Sequence, residues 1–283
     1  CTDNLLCYQG LKLPGWLTDL RNLVLVELDR CKRCSHLPPL GELPLLRFLK
    51  IREMDVVECI SSEFYGNGVN PFSSLEGLDI DSMPVLETSK TVNKRVNFPR
   101  LRILTFKKCP EKNASFLSRR DIGSIEIHDL SSVTNFLIGL LQNQTHLEEL
   151  TIASLPELKS LLNKLDNLSM VKHLNFNDCK KLEDIPEALQ KCFREFDFEW
   201  LQQSFFRFPE LCLVDCPMLD SLPGEIQCLS ALRMLPISWC NRLTSVPNQI
   251  EHLTSLFELK QESCTKLLGF QLSLLENIYK SIL

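Results

Sequence analysis

Apolar residues recur along this chain in a nine-place pattern, apolar-x-x-apolar-x-apolar-x-x-Cys, with another apolar residue sometimes standing in the cysteine place. Copies begin at Leu23 (LVLVELDRC), Leu46 (LRFLKIREM), Leu75 (LEGLDIDSM), Leu101 (LRILTFKKC), Ile122 (IGSIEIHDL), Leu147 (LEELTIASL), Val171 (VKHLNFNDC), Phe208 (FPELCLVDC), Leu232 (LRMLPISWC) and Leu256 (LFELKQESC). Their starts lie 21 to 37 residues apart, and the last three follow one another at intervals of 24. The centre of each copy alternates with period two, the mark of a strand buried on one face. Ten such copies in series predict a solenoid in which each strand pairs in parallel with the next and no repeat is stable alone.

The rest of each repeat follows from the same spacing. In CPMLDSLPGEI, from Cys216, apolar residues stand three and six places after the cysteine, and a proline comes next. The cysteine is expected to end the strand where the chain turns into the core, because a buried thiol is a small hydrophobe with a weak donor for nearby carbonyls. Cys31, Cys109, Cys179, Cys216, Cys240 and Cys264 hold this place, and Pro38, Pro186, Pro223 and Pro247 are expected to begin the return path with their fixed φ. The predicted fold is an α/β solenoid of about ten repeats over residues 1–283, treated as a single domain. A parallel β-sheet lines its concave face, with irregular convex loops and short helices behind. Residues 1–22 form a worn N-terminal repeat, with its trace in Asn4 to Leu17. An insertion at 191–207 sets Phe193, Phe196 and Trp200 at i, i+3 and i+7, to pack helically on the convex side or, as the alternative, to form a landing surface for a neighbouring domain. Residues 268–283 set Leu272, Leu275, Ile278 and Ile282 along a capping helix. Gln261 occupies an interior strand place where an aliphatic residue belongs.

Composition narrows the function classes. A formal net charge of −5 disfavours nucleic acid as a partner. The longest apolar runs, such as Asn22 to Leu28, fall far short of the roughly 18 residues of a membrane span. Thirteen cysteines, an odd number, suit free thiols in a reducing compartment, although N-x-S/T triplets at Asn113, Asn143 and Asn167 point outward. The chain starts at Cys1 with no leader, and is expected to be a piece of a longer polypeptide.

Candidate chemistry is sparse. Cys31-Lys-Arg-Cys34 matches a C-x-x-C pair, but both cysteines fall on core places of the repeat and no second pair has zinc spacing. No phosphate-binding loop, nucleophile elbow or zincin motif occurs, and Cys1-Thr-Asp3, which matches the catalytic C-x-D of repeat-bearing bacterial ligases, is not followed by a catalytic-sized domain. His128 and His173 fall on variable places and read as surface residues. No enzyme, metal or cofactor is therefore expected within this chain. What remains is the set of variable places that the repeat fixes in rows on the concave sheet. These yield a candidate protein-binding face of Phe48, Lys50, Arg52, Asp79, Asp81, Lys107, Glu126, Glu149, Asn177, Met234, Trp239 and Phe257, with Met234, Trp239 and Phe257 read as its apolar cluster.

The returns LPGWLTDLRNLV (Leu13 to Val24), LPPLGELPLLRFLKI (Leu37 to Ile51), SSEFYGNG (Ser61 to Gly68) and FSSLEGLDIDSMPVLE (Phe72 to Glu87) resemble the leucine-rich-repeat horseshoe of plant nucleotide-binding leucine-rich-repeat disease-resistance proteins of the coiled-coil type. The resemblance covers essentially the whole chain, and the EFYG loop after an LPPLG repeat is fairly specific to that group. It implies an intracellular immune receptor, cytoplasmic with a nuclear pool. Its repeats recognise a pathogen effector or guarded host protein and hold an upstream nucleotide-binding domain inactive; ATP or ADP would belong to that domain. The alternative is the substrate-recognition repeats of an F-box ubiquitin-ligase adaptor, whose usual I-T-D-x-G-like step after the cysteine is absent here.

Overall fold

The computed structural model describes residues 2–86, 98–110, 122–130, 140–141, 144–159, 170–183, 185, 209–222 and 224–267. The chain forms two compact units, Cys1–Ser131 with Asn135–Asn143, and Ser132–Thr134 with Gln144–Leu283. The first carries strands β1 (Thr2–Leu6), β2 (Leu25–Asp29), β3 (Phe48–Arg52), β4 (Gly77–Asp81), β5 (Ile103–Lys107) and β6 (Ser124–His128). The second carries β7 (Glu149–Ala153), β8 (His173–Asn177), β9 (Glu210–Val214), β10 (Met234–Ser238) and β11 (Glu258–Glu262). Within each unit neighbours in sequence are neighbours in the sheet and all pairs are parallel. Every one of the ten sequence copies thus carries a strand, and β1 supplies one to the worn first repeat. The insertion at 191–207, Pro186, Pro223 and the cap at 268–283 lie outside the described residues.

Register makes the repeat a core. Val26, Leu49, Leu78, Leu104 and Ile125 fall in one row and Leu28, Ile51, Ile80, Phe106 and Ile127 in the next, all buried. The second unit repeats this with Leu150, Leu174, Leu211 and Leu235 beside Ile152, Phe176, Leu213 and Ile237. Side chains between them point to solvent, as the period-two pattern requires. Gln261 departs from the pattern: it is exposed, and its amide donates to the carbonyls of Cys264 at 3.5 Å and Leu267 at 3.4 Å. The side chain ties down the following turn instead of filling the core. Behind the sheet, Pro14, Pro39 and Pro247 each precede a short 3-10 turn, at Gly15–Asp19, Leu40–Glu42 and Asn248–His252. Helix is otherwise confined, among the described residues, to short pieces such as α1 (Ser62–Tyr65).

The corner after each strand is the most regular feature. Its first residue has positive φ in every repeat: Cys7, Arg30, Glu53, Ser82, Lys108, Asp129, Ser154, Asp178, Asp215, Trp239 and Ser263 all lie between 48° and 59°. None is glycine, so each stores about 1 kcal/mol or more of backbone strain. The gain is a hydrogen bond. Arg30 N–H donates to Arg52 O at 3.1 Å, Asp178 N–H to Val214 O at 2.9 Å and Asp215 N–H to Ser238 O at 2.9 Å, so the ladder continues one step past the strand.

The next residue is the turn cysteine, and its thiol meets carbonyls as expected. Cys179 Sγ donates to Ile152 O at 3.7 Å and Asn177 O at 3.6 Å; Cys240 Sγ lies 3.7 Å from Leu213 O and 3.5 Å from Ser238 O. Cys109, Cys216 and Cys264 repeat the pattern, and Cys31 makes the contact to its own strand. Burial pushes the Cys109 thiol up to about 12 and keeps it protonated, as this donor role requires. The residue three places on closes a turn, with Leu182 N–H on Cys179 O at 3.1 Å and Leu219 N–H on Cys216 O at 3.2 Å.

The LPPLG and EFYG segments form one packed loop of the first unit. Phe64, Tyr65, Phe72 and Phe98 stack with ring centroids 4.8–6.2 Å apart. Gly41 lies against the Tyr65 carbonyl so closely that a Cβ would collide with backbone, and Gly66, at φ 70°, ends α1. Phe72 N–H donates to Gly41 O at 2.9 Å and Glu42 Oε1 accepts from Asn67 N–H at 2.9 Å.

Two stability outcomes follow from this packing. Cys216→Asp places an unpartnered charge where the thiol is fully buried, and is expected to cost on the order of 3 kcal/mol; an unchanged urea midpoint would show that the corner is not sealed. Gly41→Ala is expected to cost about 1–3 kcal/mol through overpacking against Tyr65, and equal midpoints for the two forms would contradict the close approach.

Candidate functional site

The solvent face of each sheet is a grid whose rows are set by register. In the first unit the middle row runs Glu27, Lys50, Asp79, Thr105, Glu126 and the next runs Asp29, Arg52, Asp81, Lys107, His128. Charges alternate over Glu27, Lys50 and Asp79 in the first row and over Asp29, Arg52, Asp81 and Lys107 in the second, and ion pairs join the rows. Arg52 is the hub: Nε donates to Asp79 Oδ2 at 3.1 Å, Nη2 reaches the same oxygen, and Nη1 lies 3.5 Å from Glu27 Oε1. The Asp79 hydrogen bond, against desolvation, raises the Arg52 pKa further. Asp79 Oδ1 is buried and has no hydrogen-bond partner among the described residues.

A second group forms around Glu126. Oε1 accepts from His128 Nε2 at 2.6 Å and meets Lys107 Nζ at 3.3 Å, and Oε2 accepts from Thr105 Oγ1 at 3.3 Å. Burial opposes ionisation of Glu126, but the His128 hydrogen bond and the Lys107 charge outweigh it and hold the carboxyl below its ordinary range. The structure thus brings Arg52, Asp79, Lys107 and Glu126 into bonded groups, with Lys50 and Asp81 in the same rows and Phe48 at the start of β3. Glu27, Thr105 and His128 belong to the same lattice; the sequence signal for Glu27 was its charge at a variable strand place.

In the second unit the candidates are dispersed. Glu149 opens β7, Asn177 ends β8 and Met234 opens β10, while Phe257 precedes β11 and donates N–H to Arg233 O at 3.1 Å. Trp239 follows the other end of β10, five residues beyond Met234, or roughly 16 Å along an extended chain. Met234 and Phe257 therefore mark one end of the strands and Trp239 the other, and the three do not form one patch. Trp239 is 53% exposed at φ 59°, a backbone region where a bulky residue is an outlier. Its amide donates to Glu262 O at 2.9 Å. Nearby, Lys180 bridges Asp178 Oδ1 at 2.7 Å and Asp215 Oδ2.

Cys31 and Cys34 are both fully buried free thiols, and Cys34 Sγ donates to Gly10 O at 3.0 Å. Burial pushes Cys34 up to about 11, so the C-x-x-C pair serves the core. Among the described residues no cluster of three His, Cys, Asp or Glu is placed to hold a metal ion, and no helix is long and apolar enough to cross a membrane.

This arrangement has relatives. Residues 4–54 match the R13L1/DRL21 family of leucine-rich repeats. The chain is 28% identical over 243 residues to the putative disease resistance RPP13-like protein 1 of Arabidopsis thaliana, covering 78% of this chain and 22% of that protein. It is 29% identical over 189 residues to the putative disease resistance protein RGA1 of Solanum bulbocastanum, covering 64% of this chain and 18% of the relative. The match thus spans about a fifth of these relatives' length. Among solved structures, the leucine-rich repeat domain of the type III effector XopL shares the fold, with TM-score 0.54 and 18% identity over 92% of this chain and 76% of that one. The chain is a leucine-rich-repeat region of the kind carried by plant disease-resistance proteins.

Proposed function

We propose that this chain is the recognition region of an intracellular plant immune receptor, binding a pathogen effector or modified host protein through the open face of its sheets. In this reading the region also holds an upstream nucleotide-binding domain inactive until the partner arrives, and the ATP or ADP chemistry belongs to that domain. The chain itself is a binding module and not an enzyme, in a protein of the cytoplasm with a nuclear pool.

The observation that carries the reading is Trp239. The same corner place holds Ser, Asp, Glu, Lys, Arg or Cys in every other repeat, all smaller or flexible and polar. A tryptophan there carries its bulk at positive φ and leaves half its surface in water, with no aromatic partner for the ring among the described residues. The positive φ serves the fold here as at every corner, through the Trp239 N–H bond to Glu262 O, but the fold does not call for a large half-exposed ring at that place; tryptophan is among the side chains most enriched in interface hot spots. In the first unit the rows around Arg52 and Glu126 supply a charge pattern of fixed geometry, suited to partner discrimination.

Trp239→Asn relieves the strain, because asparagine tolerates positive φ. It is expected to leave the melting temperature unchanged or slightly raised while weakening the cell-death response of the full-length receptor to its matching effector. Equal responses from both forms would remove Trp239, and with it the main support for recognition on this face.

A further inference from the structure

Where β3, β4 and β5 begin, the first unit carries a built patch of which the reading above takes in only Phe48. Phe48, Gly77 and Ile103 open these strands and stand in one row by register. The Phe48 ring lies across Gly77, where a Cβ would come within 2.8 Å of Cδ1, so only glycine leaves room for the ring. Ile103 is 47% exposed, and Leu45, just before β3, is 49% exposed.

One residue earlier in each repeat stand Arg47, Glu76 and Arg102. Their backbones are joined, Glu76 N–H donating to Arg47 O at 2.8 Å and Arg102 N–H to Glu76 O at 2.8 Å. Arg47 grips Glu76 with both prongs, Nε to Oε1 at 3.0 Å and Nη2 to Oε2 at 2.8 Å, while its guanidinium carbon sits 5.6 Å from the Phe48 ring centroid. The hydrogen bonds from Arg47, against some desolvation, and the charges of Arg47, Arg102 and Arg100 hold the Glu76 carboxyl below its ordinary range. The residues Arg100 and Arg102 are exposed, and their guanidinium groups make no ion pair or hydrogen bond among the described residues. Three arginines thus surround one carboxylate, an excess of two positive charges beside exposed apolar surface, on a chain whose overall charge is −5.

We propose that this strand-entry edge is a docking site for an acidic protein segment bearing an aliphatic or aromatic side chain beside its carboxylates. Arg100 and Arg102 take the carboxylates, since the guanidinium fork matches that geometry in two-pronged fashion. The apolar side chain lies on Phe48 and Ile103. Arg47 is already locked by Glu76 and by its stacking on Phe48, so it loses little freedom on binding. Nucleic acid fits less well: Glu76 at the centre repels phosphate, and phosphate leaves Phe48, Leu45 and Ile103 uncovered.

The test is a screen of displayed random short peptides against the 283-residue chain, followed by fluorescence polarisation of the selected peptides with wild type, R100E/R102E and Ile103→Asp. The selected peptides are expected to be rich in Asp and Glu next to Leu, Ile, Phe or Trp. Their affinity should fall about tenfold or more in R100E/R102E, or when their acidic residues are changed to amides, and should weaken with added salt. Melting temperatures of the variants should stay at the wild-type value, because the replaced side chains are exposed. Basic or uncharged selected peptides, undiminished binding by R100E/R102E, retention of no peptide at all, or binding only of a single-stranded oligonucleotide probe would each overturn the proposal. None of these results bears on Trp239, whose surroundings the variants leave intact.

Discussion

The structure depends on how each strand ends. A left-handed residue turns the chain, its N–H reaches the last carbonyl of the next strand, and the thiol that follows covers the carbonyls below. Each part is weak or costly alone: positive φ in a non-glycine residue is strained, and a thiol is a poor donor. Together, in the six repeats that carry a turn cysteine, they satisfy backbone groups that would otherwise be buried unpaired, which is the larger cost. The corner also fixes the register, because the bonded pair is the same in successive repeats. Without that register, side chains on the open face would have no defined neighbours.

The binding surface inherits this order. Arg52 joins Asp79 and Glu27 across three strands, and Glu126 meets Lys107 and Thr105 of the neighbouring strand as well as His128 of its own, because the rows are aligned between strands. Exposed ion pairs of this sort add little stability. Their value lies in presenting charge at fixed spacings. The entry edge of the first unit uses the same alignment for a different end: Arg47 and Glu76, 29 residues apart in sequence, meet because β3 and β4 start side by side.

Much of this was readable in the chain. The period-two pattern located all ten later strands, since burial on one face leaves a strong signal in aliphatic residues. Strand β1 was readable only as a worn repeat, because Asp3 stands in register opposite Val26, where other repeats carry an aliphatic residue. The cysteine role was readable from its fixed place beside the strand end. The left-handed corner was not, although six of its eleven residues are Ser or Asp, types that accept such geometry; that place reads more readily as surface chemistry than as backbone. Grouping Met234, Trp239 and Phe257 failed because they occupy opposite ends of the repeat, which proximity in sequence conceals. The stack of Arg47 on Phe48 over Gly77 needed register that no local pattern supplies.

The most direct test of the corner is residue-resolved hydrogen exchange of the native chain. The amides of Arg30, Glu53, Asp178 and Asp215, though outside the strands, should exchange as slowly as strand amides such as Leu49 and Ile51, because each is bonded to the neighbouring strand. Exchange at those four amides near the rate of an open surface turn, with the strands still protected, would contradict the account.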